Sequence, residues 1–247
     1  MCRTFTLVAA VVAAACLLPS SARAQTLEQI IGMNLEAKGG LEKIRATSSV
    51  RMTGHVVATE APSSGGKTAT ITMLAKRPNM MRREQTMDGE TIVSAFDGTT
   101  LWMQRGTQPP EEAPGPQAAY ARQDAEFDSV FVDYKEKGHR IELVGREQRE
   151  GEDVFHLKVT KKGGPPQAYY LDAKTGLEKV ISVTLAPGGR PTTTIETQLG
   201  DYREVDGRMI PFSIRQLVNG TVSASTTLDK VEFNVPADDG LFKMPSK

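Results

Sequence analysis

The sequence predicts an α+β fold that is mostly β, with one large antiparallel sheet that curls and helices lying across its open face. Two patterns predict this. From Ser48 onward apolar and polar residues alternate with period two, and turn dipeptides interrupt the alternation at short intervals. Helical periodicity, by contrast, is confined to the first residues after position 25 and to one stretch in the middle of the chain.

The first element is a short helix. Thr26 precedes a Leu27, Ile30, Ile31, Leu35 stripe, and Thr26 with Gln29 has the spacing of a capping box. Gly39-Gly40 stops this helix, and Leu41 to Ile44 supply about one further turn. Then the period changes. Val50, Met52, Gly54 and Val56 alternate with Arg51, Thr53 and His55, and Ala69, Ile71 and Met73 alternate with threonines. Similar segments follow around Ile92, Trp102, Ile141, Leu157, Tyr169, Val183, Phe212 and Phe233, giving about ten strands. Asp88-Gly89, Asp97-Gly98, Gly163-Gly164, Gly188-Gly189, Asp206-Gly207 and Asn219-Gly220 separate them as hairpin turns. Asn219-Gly220-Thr221 also has the form of a glycosylation sequon, and its place between two alternating segments reads as a turn.

Two stretches interrupt the meander. Residues 107–117 hold four prolines and are excluded from the interior of a strand or helix. Beyond them Phe127, Val130, Phe131 and Tyr134 fall at i, i+3, i+4 and i+7, which predicts a helix with one apolar face. With the N-terminal helix it would cover the open face of the sheet.

The N-terminus predicts export. Arg3 is followed by an apolar run from Phe5 to Leu18, a break at Pro19-Ser20-Ser21, and Ala22-Arg23-Ala24 as a small-x-small cleavage pattern before Gln25. Residues 1–24 therefore read as a cleavable signal peptide and 25–247 as a single domain. The run is shorter than the roughly 20 apolar residues of a membrane span. The alternative is a lipoprotein signal that anchors the chain at Cys16, with Ala13-Ala14-Ala15 as a poor lipobox. Cleavage before Gln25 would take 24 of the 247 residues and both cysteines, leaving no thiol for a disulfide or a metal. It would leave 28 basic and 30 acidic residues, a balance that argues against nucleic acid as a partner.

Signatures of catalysis are sparse. His55, His139 and His156 lack metal-ligand spacing, and His55 and His156 sit on the polar side of their alternation. No serine lies in a G-x-S-x-G elbow. Gly66-Lys67-Thr68 matches the end of a phosphate loop, but position 61 is Ala with Pro62 after it, so a loop tip is the reading. Glu111-Glu112 and Asp238-Asp239 lie in loop-like sequence. No catalytic group, metal or cofactor is expected. What remains distinctive is apolar: ten methionines including the start, several clustered in the N-terminal half, and a single tryptophan. Methionine suits surfaces that accept varied apolar partners; the plainer reading is that these side chains fill the core. The candidates for lining an apolar cavity are Met52, Ile71, Met73, Phe96, Trp102, Met103, Phe127 and Phe131.

Residues 76–104 carry a resemblance. Lys76-Arg77-Pro78-Asn79, then Ile92-Val93-Ser94, then Asp97-Gly98-Thr99-Thr100-Leu101-Trp102 resemble, in order and spacing, the LolA-like outer-membrane lipoprotein-sorting proteins. Weaker similarity includes Ala37–Lys43, Asp201–Pro211 and Leu241–Pro245, and looks like a separate branch of that superfamily rather than the sorting carrier itself. The resemblance implies an unclosed antiparallel β-barrel with helices as a lid over an apolar cavity. It implies a non-enzymatic periplasmic carrier whose cargo is lipoprotein acyl chains or another lipid, with an envelope membrane protein as a further partner. It also implies that Arg77 holds the lid closed and takes part in release. The chain departs from the sorting carriers in its proline-rich insert and in Met80-Met81-Arg82-Arg83, where charge can point inward. An alternative is an envelope sensor or interaction module that binds a protein through the same half-barrel fold. An enzyme is the third reading.

Overall fold

The computed structural model describes residues 25–58, 67–113, 125–186 and 191–245. The expected signal peptide, the cleavage point before Gln25 and the alternative anchor at Cys16 involve positions outside the described residues. So do the Gly188-Gly189 turn and the end of the proline-rich run.

Helix α1 (Leu27–Ala37) begins with the predicted box: the Thr26 hydroxyl accepts from the Gln29 N–H, and the Gln29 side chain accepts from the Thr26 N–H. Helix α2 (Gly40–Arg45) follows directly, entered through Gly39 in the left-handed conformation at φ 99°. Among the described residues all remaining regular structure, apart from one 3₁₀ turn at Asp239–Leu241, is strand. The strands are β1 (Ser49–Ala58), β2 (Thr68–Lys76), β3 (Met80–Met87), β4 (Glu90–Phe96), β5 (Leu101–Arg105), β6 (Glu111–Glu112), β7 (Arg140–Arg149), β8 (Glu152–Thr160), β9 (Pro166–Asp172), β10 (Glu178–Leu185), β11 (Thr193–Val205), β12 (Arg208–Val218) and β13 (Thr221–Phe233).

They form one 13-stranded sheet in the order β6-β5-β4-β3-β2-β1-β13-β12-β11-β10-β9-β8-β7, antiparallel throughout and not closed into a barrel. Each half is a meander, and the first and last strands pair at the centre. The turns explain the meander. Asp88-Gly89, Glu150-Gly151, Asp206-Gly207 and Asn219-Gly220 each place two successive residues at positive φ, the backbone of a two-residue hairpin turn. The β1–β13 seam is pinched at Gly54, where a Cβ would lie 2.1 Å from the Thr227 carbonyl oxygen beside a bulge.

Two sequence expectations need correction. Residues 127–134 do not form a helix; the chain bends at 127–128 and runs in successive turns from 130. Val130, Phe131 and Val132 are all buried, so the segment packs three consecutive side chains rather than one helical face, and Asp133 takes φ 48°. The proline-rich run contains a short strand after all. Glu111-Glu112 pairs with Trp102 and Met103 at the sheet edge, where a neighbouring proline costs no ladder bond.

The connection between the halves sets the geometry. β6 and β7 are the two opposite edges of the sheet, and the connection between them is described from residue 125 onward. Its described part, 125–139, packs with α1 over β7–β9. Ile30, Ile31 and Leu35 meet Val130, Phe131 and Val132, which rest on Phe155, Leu157, Val159, Tyr169 and Leu171. Phe131 and Tyr169 meet edge to face at 5.7 Å.

Candidate functional site

The inner face of the sheet is set by register. Val50 and Met52 on β1 lie opposite Phe233 and Val231 on β13. In the other direction one row reads Met52, Met73, Arg83, Ser94, Met103 from β1 to β5, and the next reads Gly54, Ile71, Gln85, Ile92, Arg105. Phe96 shares this face through Val50, Ala75 and Met81.

Two cavities open over this face beside the crossing segment. One of about 280 Å³ is lined by Phe127, Asp128, Ser129, Tyr169, Ile181, Leu199, Tyr202 and Pro211, with Lys38 and Glu178 at its polar end. The other, about 300 Å³, is lined by Ile44, Val50, Met209, Ile210, Pro211 and Phe233, with Arg208 beside them. Both share Lys38, Phe127, Asp128, Ser129 and Pro211, so Phe127–Ser129 is part of the wall between them. The charges in the walls have partners within the protein. Lys38 pairs with the buried Glu178 carboxylate. Arg208 donates to the Thr47 hydroxyl at 2.8 Å and lies 4.2 Å above the Phe233 ring. The Tyr202 hydroxyl donates to the Glu178 carbonyl at 2.6 Å, and burial pushes its pKa upward.

Arg77 fastens the wall. Its Nε donates to the Thr47 carbonyl at 2.6 Å and its Nη2 to the Ile44 carbonyl at 2.8 Å, which ties β2 to the end of α2. The same guanidinium forks onto the Asp128 carboxylate, with one bond of 2.6 Å, and lies 4.9 Å from the Phe127 ring centre. The Phe127 N–H donates to the Pro78 carbonyl at 3.2 Å. One side chain therefore joins the β2–β3 turn, the α2 end and the crossing segment through a bidentate, charge-assisted contact.

The sequence candidates are distributed unevenly. Met52, Ile71, Met73, Phe96 and Met103 all lie on the inner face, but none of them lines either cavity. Phe127 lines both. Phe131 is packed into the core under α1. Trp102 is a correction: it pairs with Ala95 on the opposite face, where it is buried and its Nε1 donates to the Phe242 carbonyl at 2.7 Å. Adjacent strand residues cannot both point inward, so Met103 on the inner face puts Trp102 outside. Met103 is 45% exposed, which leaves this end of the inner face open.

Sequence reading missed Asp128, Lys38 and Glu178. The partners in these pairs are separated by 51 and 140 positions, and no local pattern marks either pair. The histidines occupy separate environments. His55 faces Asp229, His139 contacts Glu126, and His156 stacks on Tyr170. Among the described residues no group of three His, Cys, Asp or Glu side chains is placed to hold a metal.

The architecture is an open antiparallel half-barrel whose mouth is crossed by helices and a turn-rich segment. It is the LolA-like fold. The structure is similar to a LolA superfamily protein from Nitrosomonas europaea, at 16% identity and TM-score 0.59, over 89% of this chain and 98% of that one. A DUF1329 family protein from Desulfovibrio piger matches at 12% identity and TM-score 0.58, over 87% and 96%. An outer membrane lipoprotein-sorting protein domain from Vibrio parahaemolyticus matches at 13% and 0.54, over 86% and 97%. No protein-family model and no curated protein sequence matches this chain.

Proposed function

We propose that this protein is an exported, non-enzymatic carrier that holds lipidated or otherwise apolar cargo in the half-barrel, and that Arg77 governs access to it. The observation that carries this reading is the Arg77 clasp on Phe127–Ser129, the wall shared by two largely apolar cavities. Each cavity is at the small end of the volume range of ligand sites, roughly 300 Å³. Releasing the wall would join them into one space, and an acyl chain gains about 0.8 kcal/mol per methylene on leaving water, so no catalytic group is needed. The periplasm is the compartment this reading requires, reached by cleavage before Gln25, and the sorting of outer-membrane lipoproteins is one role that fits it.

The test is lipid extraction of purified residues 25–247 with mass spectrometry, together with titration by Nile red. The expected result is copurified lipid or saturable dye binding. An empty protein that takes up neither would overturn the reading. A stoichiometric protein partner captured without lipid would instead favour an interaction module.

A further inference from the structure

The inner face of the N-terminal half is methionine-rich, but its middle is cationic. Arg83 stands in one row between Met73 on β2 and Ser94 on β4, with Met52 and Met103 beyond them. Gln85 follows two residues along β3, so it projects to the same face beside Ile71 and Ile92. The Arg83 Nε is buried without a hydrogen-bond partner. Arg77, Arg82 and Arg208 each donate to a carboxylate, a carbonyl or a hydroxyl, and Arg149, whose Nε is also buried without a partner, still donates through its Nη2 to the Glu196 carboxylate. Arg83, Gln85 and Ser94 have no hydrogen bond or ion pair to another side chain among the described residues.

Arg83 itself is half-buried, and leaving a partly desolvated cation without an ion pair is costly, because nothing offsets its lost hydration. Burial accordingly pulls the Arg83 pKa below the ordinary arginine value. Among the described residues no carboxylate meets the need. Glu84 alternates to the other face and pairs with Arg82. Glu90 lies nearer Arg105, at 3.9 Å. Glu111 ends the Arg83 row three strands away, about 14 Å at the usual strand spacing.

We infer that the inner face of β2–β5 binds an amphiphile with a carboxylate head, a long-chain fatty acid anion, whose head sits on Arg83 with Gln85 and Ser94 as further donors and whose chain lies along the methionines. The fork of a guanidinium fits a carboxylate in two parallel bonds. Methionine side chains adapt to a flexible chain. The inference rests on the carrier reading above and narrows its cargo.

The test is competition for bound Nile red by oleate, oleyl alcohol and acetate, with residues 25–247 and with the Arg83→Met variant. Oleate and oleyl alcohol share a chain and differ in head charge. The expected result is that oleate binds at least tenfold more tightly than oleyl alcohol, that acetate competes weakly, and that Arg83→Met erases the difference while oleyl alcohol binding persists. The ligand-free variant should also melt no lower than the parent, since it removes a half-buried cation that has no ion pair. Equal binding of oleate and oleyl alcohol by the parent protein overturns the inference and leaves the carrier reading in place. Acetate competing as well as oleate also overturns it, as does a fall in melting temperature in Arg83→Met, which would assign Arg83 a structural partner. Failure of every chain-bearing probe would instead bring down the carrier reading.

Discussion

The two halves of the sheet are built alike and finished differently. Over β7–β9 the inner face is sealed: α1 and Val130–Val132 bury Leu157, Val159 and Leu171 to 0% exposure. Over β1–β5 the same kind of face buries Ile71 and Phe96 but keeps Met52, Met73, Met81, Arg83, Gln85, Ile92 and Ser94 only half-buried and Met103 exposed. The sealed half carries β-branched, leucine and aromatic residues in fixed packing. The open half carries methionine and polar side chains beside Ile71, Ile92 and Phe96. This division separates what holds the fold together from what is left free to meet a ligand, with the Arg77 clasp and both cavities beside the boundary.

Core truncations should show the contrast most strongly. Phe131→Ala should cost about 3–5 kcal/mol, the usual toll of removing a buried phenylalanine. Met73→Ala should cost less than the roughly 2 kcal/mol at the bottom of the range for fully buried methionines. Urea denaturation of both variants measures this, and equal losses would break the proposed division.

The clasp comes next. Arg77→Met would strand Asp128, whose side chain is 16% exposed, and unpair two backbone carbonyls. A loss of about 2–3 kcal/mol is expected, between the values for surface and buried pairs. Hydrogen exchange should accelerate over residues 127–138 and stay unchanged in β8–β9. Uniform acceleration would mean that Arg77 supports the whole fold rather than the wall.

Smaller effects should come from the outer face of the open half. Leu74, Arg82, Ala95 and Trp102 form one row there, and Phe242 from the C-terminal segment is fully buried. Trp102→Phe should cost about 1–2 kcal/mol, mainly by leaving the Phe242 carbonyl unpaired. Because Trp102 is the sole tryptophan, its fluorescence reports this docking directly. A red-shifted emission in the parent protein would contradict a buried indole.

The smallest effect is acid sensitivity in the sealed half. Burial works against ionisation of Asp172, but the Thr175 and Lys174 N–H groups and the Thr175 hydroxyl outweigh it and hold its pKa below the usual value. A depressed folded-state pKa gives stability that is present above the unfolded value, near 3.9, and is lost as pH falls through the folded one. Asp172→Asn keeps the acceptor oxygen, so the difference in urea midpoint between pH 6 and pH 3 should shrink slightly. An unchanged difference would remove Asp172 from the acid response.

What could be read from the sequence was local. The Thr26–Gln29 box, the left-handed turns at Asp88-Gly89, Asp206-Gly207 and Asn219-Gly220 and the period-two strands depend on neighbours within a few positions, and each formed where the pattern put it. The same locality misled at 127–134. A helical spacing of four aromatic or apolar residues was outweighed by the burial of Val130, Phe131 and Val132 together under α1. Sequence alternation also determined that Trp102 and Met103 face opposite ways, but not which of them faces inward. That choice required the pairing of β5 with β4 and the arrival of Phe242 from 140 positions away. The resemblance singled out Arg77, whereas Asp128, the cavities and the unpaired Arg83 emerged only in the folded chain. Their physical cause is long-range: an open sheet with its two edges joined by one connection places distant residues across a common mouth, and no pattern along the chain records which of them will meet.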